Sequence, residues 1–216
     1  SGIPSPTVNE GEAYTSFTPT VDDPDNTSHT YRLENGPEWL TINATTGEIS
    51  GRPSKGELGT SSDIRLVVSD GITDNRLAFD IEVLNVNDAP VMSDMSLSVT
   101  EDNELTISQE DIEGLYSDVD TGDTLESIRI ESVPESGTLY NNNGVVSDGD
   151  TIDSGSIGFR YEPTSNYVGS DRITISGSDG EFSSEVATIT ITIVAENDAP
   201  VISGTPSPTQ AAPSTP

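Results

Sequence analysis

The strings NVNDAPV (Asn85–Val91) and AENDAPV (Ala195–Val201) each follow an alternating apolar run, LAFDIEVL (77–84) and ATITITIV (187–194). Strict alternation puts every second side chain on one face and is the signature of a β-strand. Asn85 and Ala195 lie 110 residues apart, which is room for one small β domain per copy. Companion pieces recur around the two strings in the same order. A Glu follows the first apolar stretch of each unit, at Glu10 and Glu101. A D-x-D follows, at Asp23/Asp25 and Asp118/Asp120, and then an S-D-G, at Ser69–Gly71 and Ser178–Gly180. Repetition at this scale divides the chain into two modules and ties the carboxylates to fixed positions in each. The expected boundaries are 1–88, 89–198 and a Pro/Ser/Thr-rich linker or tail over 199–216.

The 216 residues carry a formal net charge of -30 and a pI near 4.1. Self-repulsion of that size weakens a compact state unless cations neutralise it. It argues against nucleic acid and against anionic membrane surfaces as partners. Hydrophobic content is only 31%, but the apolar residues alternate rather than scatter, as a folded β protein requires. No cysteine is present, so disulfides cannot staple these small cores, and bound metal is the obvious alternative restraint. No stretch approaches the roughly 18 apolar residues of a membrane span. The ends, SGIPSP and VISGTPSPTQAAPSTP, read as those of an excerpt from a longer polypeptide.

Short strands are expected at 13–18, 29–33, 64–69 and 77–84 in the first unit, with two extended pieces around the Thr-Gly turn of PEWLTINATTGEISG. In the second unit they are expected at 95–100, 104–107, 125–133, 157–161, 172–176 and 186–194. The last of these is rich in β-branched residues and should be central. NNNG (141–144) predicts a hairpin turn. Ser108 with Asp111 three residues on predicts one short helical turn opened by a capping box. Many short strands with frequent turns predict all-β architecture, two tandem sandwiches.

Calcium takes six to eight oxygen ligands from carboxylates, amides and backbone carbonyls. D-x-D sets two carboxylates on one side of an extended backbone. N-D supplies an amide oxygen and a carboxylate at adjacent positions, and the Pro that follows fixes φ at the entrance of the next module. S-D-G sets one carboxylate at a strand end.

These residues carry a resemblance. With VNEGEAY, DDPDN, PEWLTINATTGEISG, VVSDG and NVNDAPV, the first unit resembles a dystroglycan-type cadherin-like module. With VTEDNELTI, SDVDTGDTL, GTLYNNNG, YEPTSNYVGSDRITI, GSDGE and ENDAPV, the second is similar to the cadherin-like repeat of large bacterial surface proteins and RTX adhesins. The resemblance implies immunoglobulin/cadherin-like Greek-key sandwiches joined end to end with calcium (Ca2+) in the joints. Carried over residue by residue, the joint between the units would use Glu10, Asn87, Asp88, Asp118, Asp120 and Asp179, with Asn85 as a further ligand. Asp23, Asp25 and Asp70 would face a preceding module, and Glu101, Asn197 and Asp198 a following one. There are departures. The D-R-E triplet of vertebrate cadherins is missing, GRPSKGE standing in that neighbourhood. The linker is N-D-A-P rather than N-D-N-x-P, and Asn85 stands where Asp is usual. Each change removes oxygen or charge, which implies one or two ions per joint at about 10⁻⁴–10⁻³ M.

One His and no Cys leave little for nucleophilic, general-base or zinc chemistry. His29 is expected on a strand or turn surface. The paired acids fall in repeated turn positions, so a glycosidase pair is the poorer account of them, and no catalysis is expected. The expected function is a non-catalytic, calcium-rigidified spacer on the bacterial cell surface, extracellular, whose neighbours are further modules of the same chain. A cell-surface glycan or protein is the ligand class of the whole. The alternative is a carbohydrate-binding accessory pair of a secreted polysaccharide-degrading enzyme, with Trp39, Tyr140, Tyr161 and Tyr167 as the candidate platform. For Trp39 the sequence favours a core position.

Overall fold

The computed structural model describes residues 2–200, 203 and 204. It falls into two compact units, divided after Asp88. Both are β-sandwiches of the immunoglobulin/cadherin-like type.

The first unit has strands β1 (Thr7–Asn9), β2 (Thr30–Glu34), β3 (Leu40–Ile42), β4 (Ile49–Gly51), β5 (Gly59–Ser69) and β6 (Asp74–Leu84). One sheet runs β1-β6-β5-β2, and β3 pairs with β4 in the other. β1 lies parallel to β6, with Val8 opposite Val83. The inward residues of β5 and β6, Ile64, Leu66, Ile81 and Val83, pack with Val8, Tyr14, Trp39, Leu40 and Ile49. Val67 lies outside this core yet is fully buried. Its register neighbours are Arg32 and Arg76. Their guanidiniums each bond both Glu34 and Asp74 at 2.9–3.4 Å, which closes a four-member charge network on this face of the sheet.

The second unit has β7 (Val91–Met92), β8 (Met95–Thr100), β9 (Leu105–Ile107), helix α1 (Gln109–Glu113), β10 (Tyr116–Ser117), β11 (Ser127–Ser132), β12 (Gly137–Asn141), β13 (Gly144–Val145), β14 (Thr151–Asp153), β15 (Phe159–Pro163), β16 (Gly169–Ser178) and β17 (Ala187–Val194). Sheets β14-β11-β16-β17-β8 and β13-β12-β15-β9 enclose a core rich in isoleucine. β17 sits between β16 and β8 and points Ala187, Ile189, Ile191 and Ile193 inward, as its alternation requires. Its pairing with β8 is parallel, repeating the β1–β6 relation of the first unit. Helix α1 is capped as expected. The Ser108 hydroxyl accepts from the Asp111 amide, and the Asp111 carboxylate accepts from the Ser108 amide at 2.8 Å.

Several expectations need correction. Residues 13–18 form no strand beyond a single bridge from Phe17 to Ile49. Tyr14 occupies them with core packing instead, its hydroxyl donating to Ser5 O at 2.7 Å. β5 begins five residues before its alternating stretch, because a register shift between Ser61 and Ile64 absorbs the break in pattern. β7, β10 and β14 are too short to carry a sequence period. The NNNG hairpin forms as expected, β12 pairing with β13 and Gly144 at φ 128°. The linker expected over 199–216 lies outside the described residues except for 199, 200, 203 and 204.

Candidate metal centre

The acidic group best assembled by the fold lies at one end of the second unit. β10 pairs with β7, Ser117 opposite Val91, so the D-x-D stretch leaves the sheet beside the entrance of the unit. There Asp118, Asp120 and Asp123 bring one carboxylate oxygen each to within 4.8 Å of one another. Asp118 Oδ1 accepts from the Asp120 amide at 2.8 Å, and its Oδ2 accepts from the Tyr116 hydroxyl at 3.3 Å. Asp120 is only 5% exposed. Burial pushes the Tyr116 hydroxyl up to about 12, and the fields of Asp118, Asp179 and Asp123 act in the same direction. Asp179 therefore belongs to the same electronegative end. Its Oδ1 accepts from the Glu181 and Phe182 amides at 2.7 Å, an Asx turn that fixes the carboxylate at the end of β16.

A buried carboxylate with two others within 4.8 Å fits a hard divalent cation. Burial and like charge both raise the free energy of the ionised set, and a cation reverses both terms. The donors are all oxygen, which suits calcium and not zinc. If bound there, calcium would be held by Asp118, Asp120 and Asp123 with Asp179 close by, and would supply charge neutralisation.

The remaining candidates fall into three places. In the first unit Glu10 follows β1, and its Oε1 accepts from the Val86 amide at 3.1 Å. Asn87 Nδ2 donates to Asp88 O at 3.1 Å. Asp88 Oδ2 lies 2.6 Å from Lys55 Nζ. The second unit repeats this device. Glu101, 7% exposed, accepts from the Glu196 amide at 2.9 Å, and Asn197 Nδ2 donates to Asp198 O at 3.3 Å. Here the acids crowd. Burial first, then the charges of Asp198, Glu101 and Glu196, hold the Asp102 carboxyl above the usual carboxylate range.

At the third place Asp23, Asp25, Asp70 and His29 line a shallow depression. These acids form no comparable group of three among the described residues. Asp23 Oδ1 accepts from the Asp25 and Asn26 amides at 3.1 Å, and His29 Nε2 lies 3.2 Å from its Oδ2. The Asp25 amide chiefly, then His29, keep the Asp23 carboxyl below the usual range. Asp70 is lowered by the Thr73 and Ile72 amides, which its Oδ1 accepts at 2.7 and 2.8 Å. Asp25 is exposed. His29 is not the surface residue expected. Its side chain is 11% exposed, drawn in by Asp23.

Sequence reading missed Asp123, although DVDTGDT spells a third acid three residues after the D-x-D. It also missed Asp102 and Glu196, each next to a residue that was named. Three of the four aromatics named for a platform are engaged within their own units. Trp39 is 9% exposed and packs edge-on against Tyr14 with ring centroids 6.0 Å apart. Tyr161 is fully buried. The face of Tyr140 is covered by the Arg160 guanidinium at 4.3 Å.

Residues 1–84 match the model of a putative Ig domain, and residues 87–192 match that of a bacterial Ig domain. Human protocadherin-24 EC1-2 is similar in structure with a TM-score of 0.53 and 18% identity, over 90% of this chain and 95% of that one. Both units have the Ig/cadherin-like fold. Protocadherin gammaB7 EC3-6 gives a TM-score of 0.49 at 17% identity, over 89% of this chain and 46% of that one. An endo-fucoidan hydrolase of glycoside hydrolase family 107 gives 0.34 at 22% identity. That alignment covers 91% of the Ig/cadherin-like pair and 28% of the hydrolase chain. No curated protein matches the sequence. No helix among the described residues is long and apolar enough to cross a membrane.

Proposed function

We propose that this pair is a non-catalytic, calcium-rigidified extracellular segment of a large bacterial surface adhesin of the RTX type, holding a distal ligand-binding region away from the cell. The observation that carries the reading is the Asp118–Asp120–Asp123 group, three oxygen donors within 4.8 Å with Asp120 nearly buried. In this reading Glu10, Asn87 and Asp88 serve the same joint as Asp118, Asp120, Asp123 and Asp179. Asp23, Asp25 and Asp70, and separately Glu101, Asn197 and Asp198, serve joints with neighbouring modules. Calcium neutralises carboxylates that repel one another and so fixes the angle between consecutive modules. A ligand present at about 100 times its dissociation constant adds about 2.7 kcal/mol of stability. Chelation with EGTA is therefore expected to lower the melting temperature and to broaden the small-angle scattering profile toward a flexible pair. Melting and scattering that are the same in calcium and in EGTA would contradict the proposal.

A further inference from the structure

The two modules use one device at their C-terminal ends, and they differ in how its charge is met. In each, the Glu that follows the strand paired parallel to the last strand accepts a linker amide, Glu10 from Val86 and Glu101 from Glu196. In the second module that Glu stands among Asp102, Glu196 and Asp198, whose mutual repulsion, added to burial, holds the Asp102 carboxyl up. In the first, an ammonium lies within ion-pair distance of that Glu. Lys55 Nζ lies 2.6 Å from Asp88 Oδ2 and 3.9 Å from Glu10 Oε1.

The position of Lys55 is built. It opens a 3-10 turn, Lys55–Glu57, closed by a capping box in which the Ser54 amide and hydroxyl both donate to Glu57 Oε2, at 2.6 and 2.5 Å. The preceding residues are stitched to the turn after Glu10. The Gly11 amide donates to Pro53 O at 2.8 Å, and Arg52 Nη1 donates to Gly11 O at 2.7 Å. GRPSKGE thus fixes a cation within 4 Å of both the Glu10 and the Asp88 carboxylates. The Lys55 side chain is 29% exposed, so most of it is covered.

We propose that Lys55 is a tethered counterion that occupies one divalent-cation position at the end of the first module, so that this end binds calcium more weakly than its carboxylates alone would and stays neutralised when calcium is scarce. The inference rests on the calcium reading above. An ammonium and a calcium ion cannot share the point between Glu10 and Asp88, and their repulsion at about 4 Å opposes binding even where both are accommodated. Lys55→Met keeps the apolar stem and removes the charge, and Lys55→Arg keeps the charge. Calcium chloride is titrated calorimetrically into the full 216-residue chain and into both variants, and each is melted in EGTA.

The expected result is that Lys55→Met binds calcium about tenfold more tightly or takes one further ion, and melts below the wild type in EGTA, with Lys55→Arg like the wild type. Calcium isotherms that superimpose for wild type and Lys55→Met, or equal melting in EGTA, overturn the role of Lys55 and leave the calcium reading standing. No calcium uptake by either protein overturns both.

Discussion

Asp171→Ala is expected to lower the melting temperature of the second module by roughly 10–15 °C, a loss of about 3 kcal/mol or more. Asp171 is 6% exposed and collects four donors. Oδ1 accepts from the Glu135 and Arg172 amides at 3.0 and 2.9 Å, and Oδ2 accepts from the Ser136 amide at 2.8 Å and the Tyr161 hydroxyl at 2.9 Å. The carboxylate thereby pins the loop before β12 to β16 and orients a fully buried tyrosine. Burial chiefly, and Asp171 next, push the Tyr161 hydroxyl far above its ordinary value. Alanine strands these donors, each costing about 1–3 kcal/mol when unsatisfied and buried. Tyr161→Phe removes only the hydroxyl, shared between Asp171 Oδ2 at 2.9 Å and Ser136 O at 3.4 Å, and should cost about 1 kcal/mol. Calorimetric melting of the two variants checks the order, and an Asp171→Ala protein as stable as the wild type would refute this account of the loop.

Gly51→Ala is expected to destabilise the first module by about 3 kcal/mol, at the upper end of overpacking costs. A Cβ on Gly51 would lie 2.2 Å from Trp39 O and 2.9 Å from Trp39 Cε3. The oxygen belongs to backbone that enters β3, and Gly51 pairs with Leu40 across β3 and β4. It cannot retreat without opening that pair, and Tyr14 N, which donates to Gly51 O at 2.9 Å, moves with it. The chain has one tryptophan, so Trp39 fluorescence reports on this module alone. Gly56→Ala is the control. Its Cβ would meet nothing closer than Ser54 Oγ at 3.8 Å, and its denaturation midpoint should match the wild type.

Alternation made the long strands legible. Leu77–Leu84 and Ala187–Val194 turn every second residue inward, and those parities set the cores. The same parity could have placed Asp171, which shares a face with Ile173 and Ile175. A carboxylate on the inward face of a strand signals a buried hydrogen-bonding hub, but composition hides it among 38 acidic residues. Where a strand is expected over 13–18, the chain instead spends Tyr14 and Phe17 on packing. At the candidate centre the D-x-D spacing found Asp118 and Asp120, since neighbouring acids are local in sequence. Asp123 was readable from DVDTGDT. The meeting of Lys55 with Asp88 was not, because 33 residues separate them and only the stitching of Pro53 and Arg52 to Gly11 brings them together.

Calcium titration of the wild type against Asp120→Asn, followed by calorimetry, tests the central claim most directly. Asp120 is the buried member of the Asp118–Asp120–Asp123 group, so its charge is screened least by solvent. The account predicts saturable calcium binding by the wild type, near 10⁻⁴–10⁻³ M or tighter, and a loss of about tenfold or more in Asp120→Asn. Equal calcium affinity in the two proteins, or no saturable binding by the wild type, would contradict it.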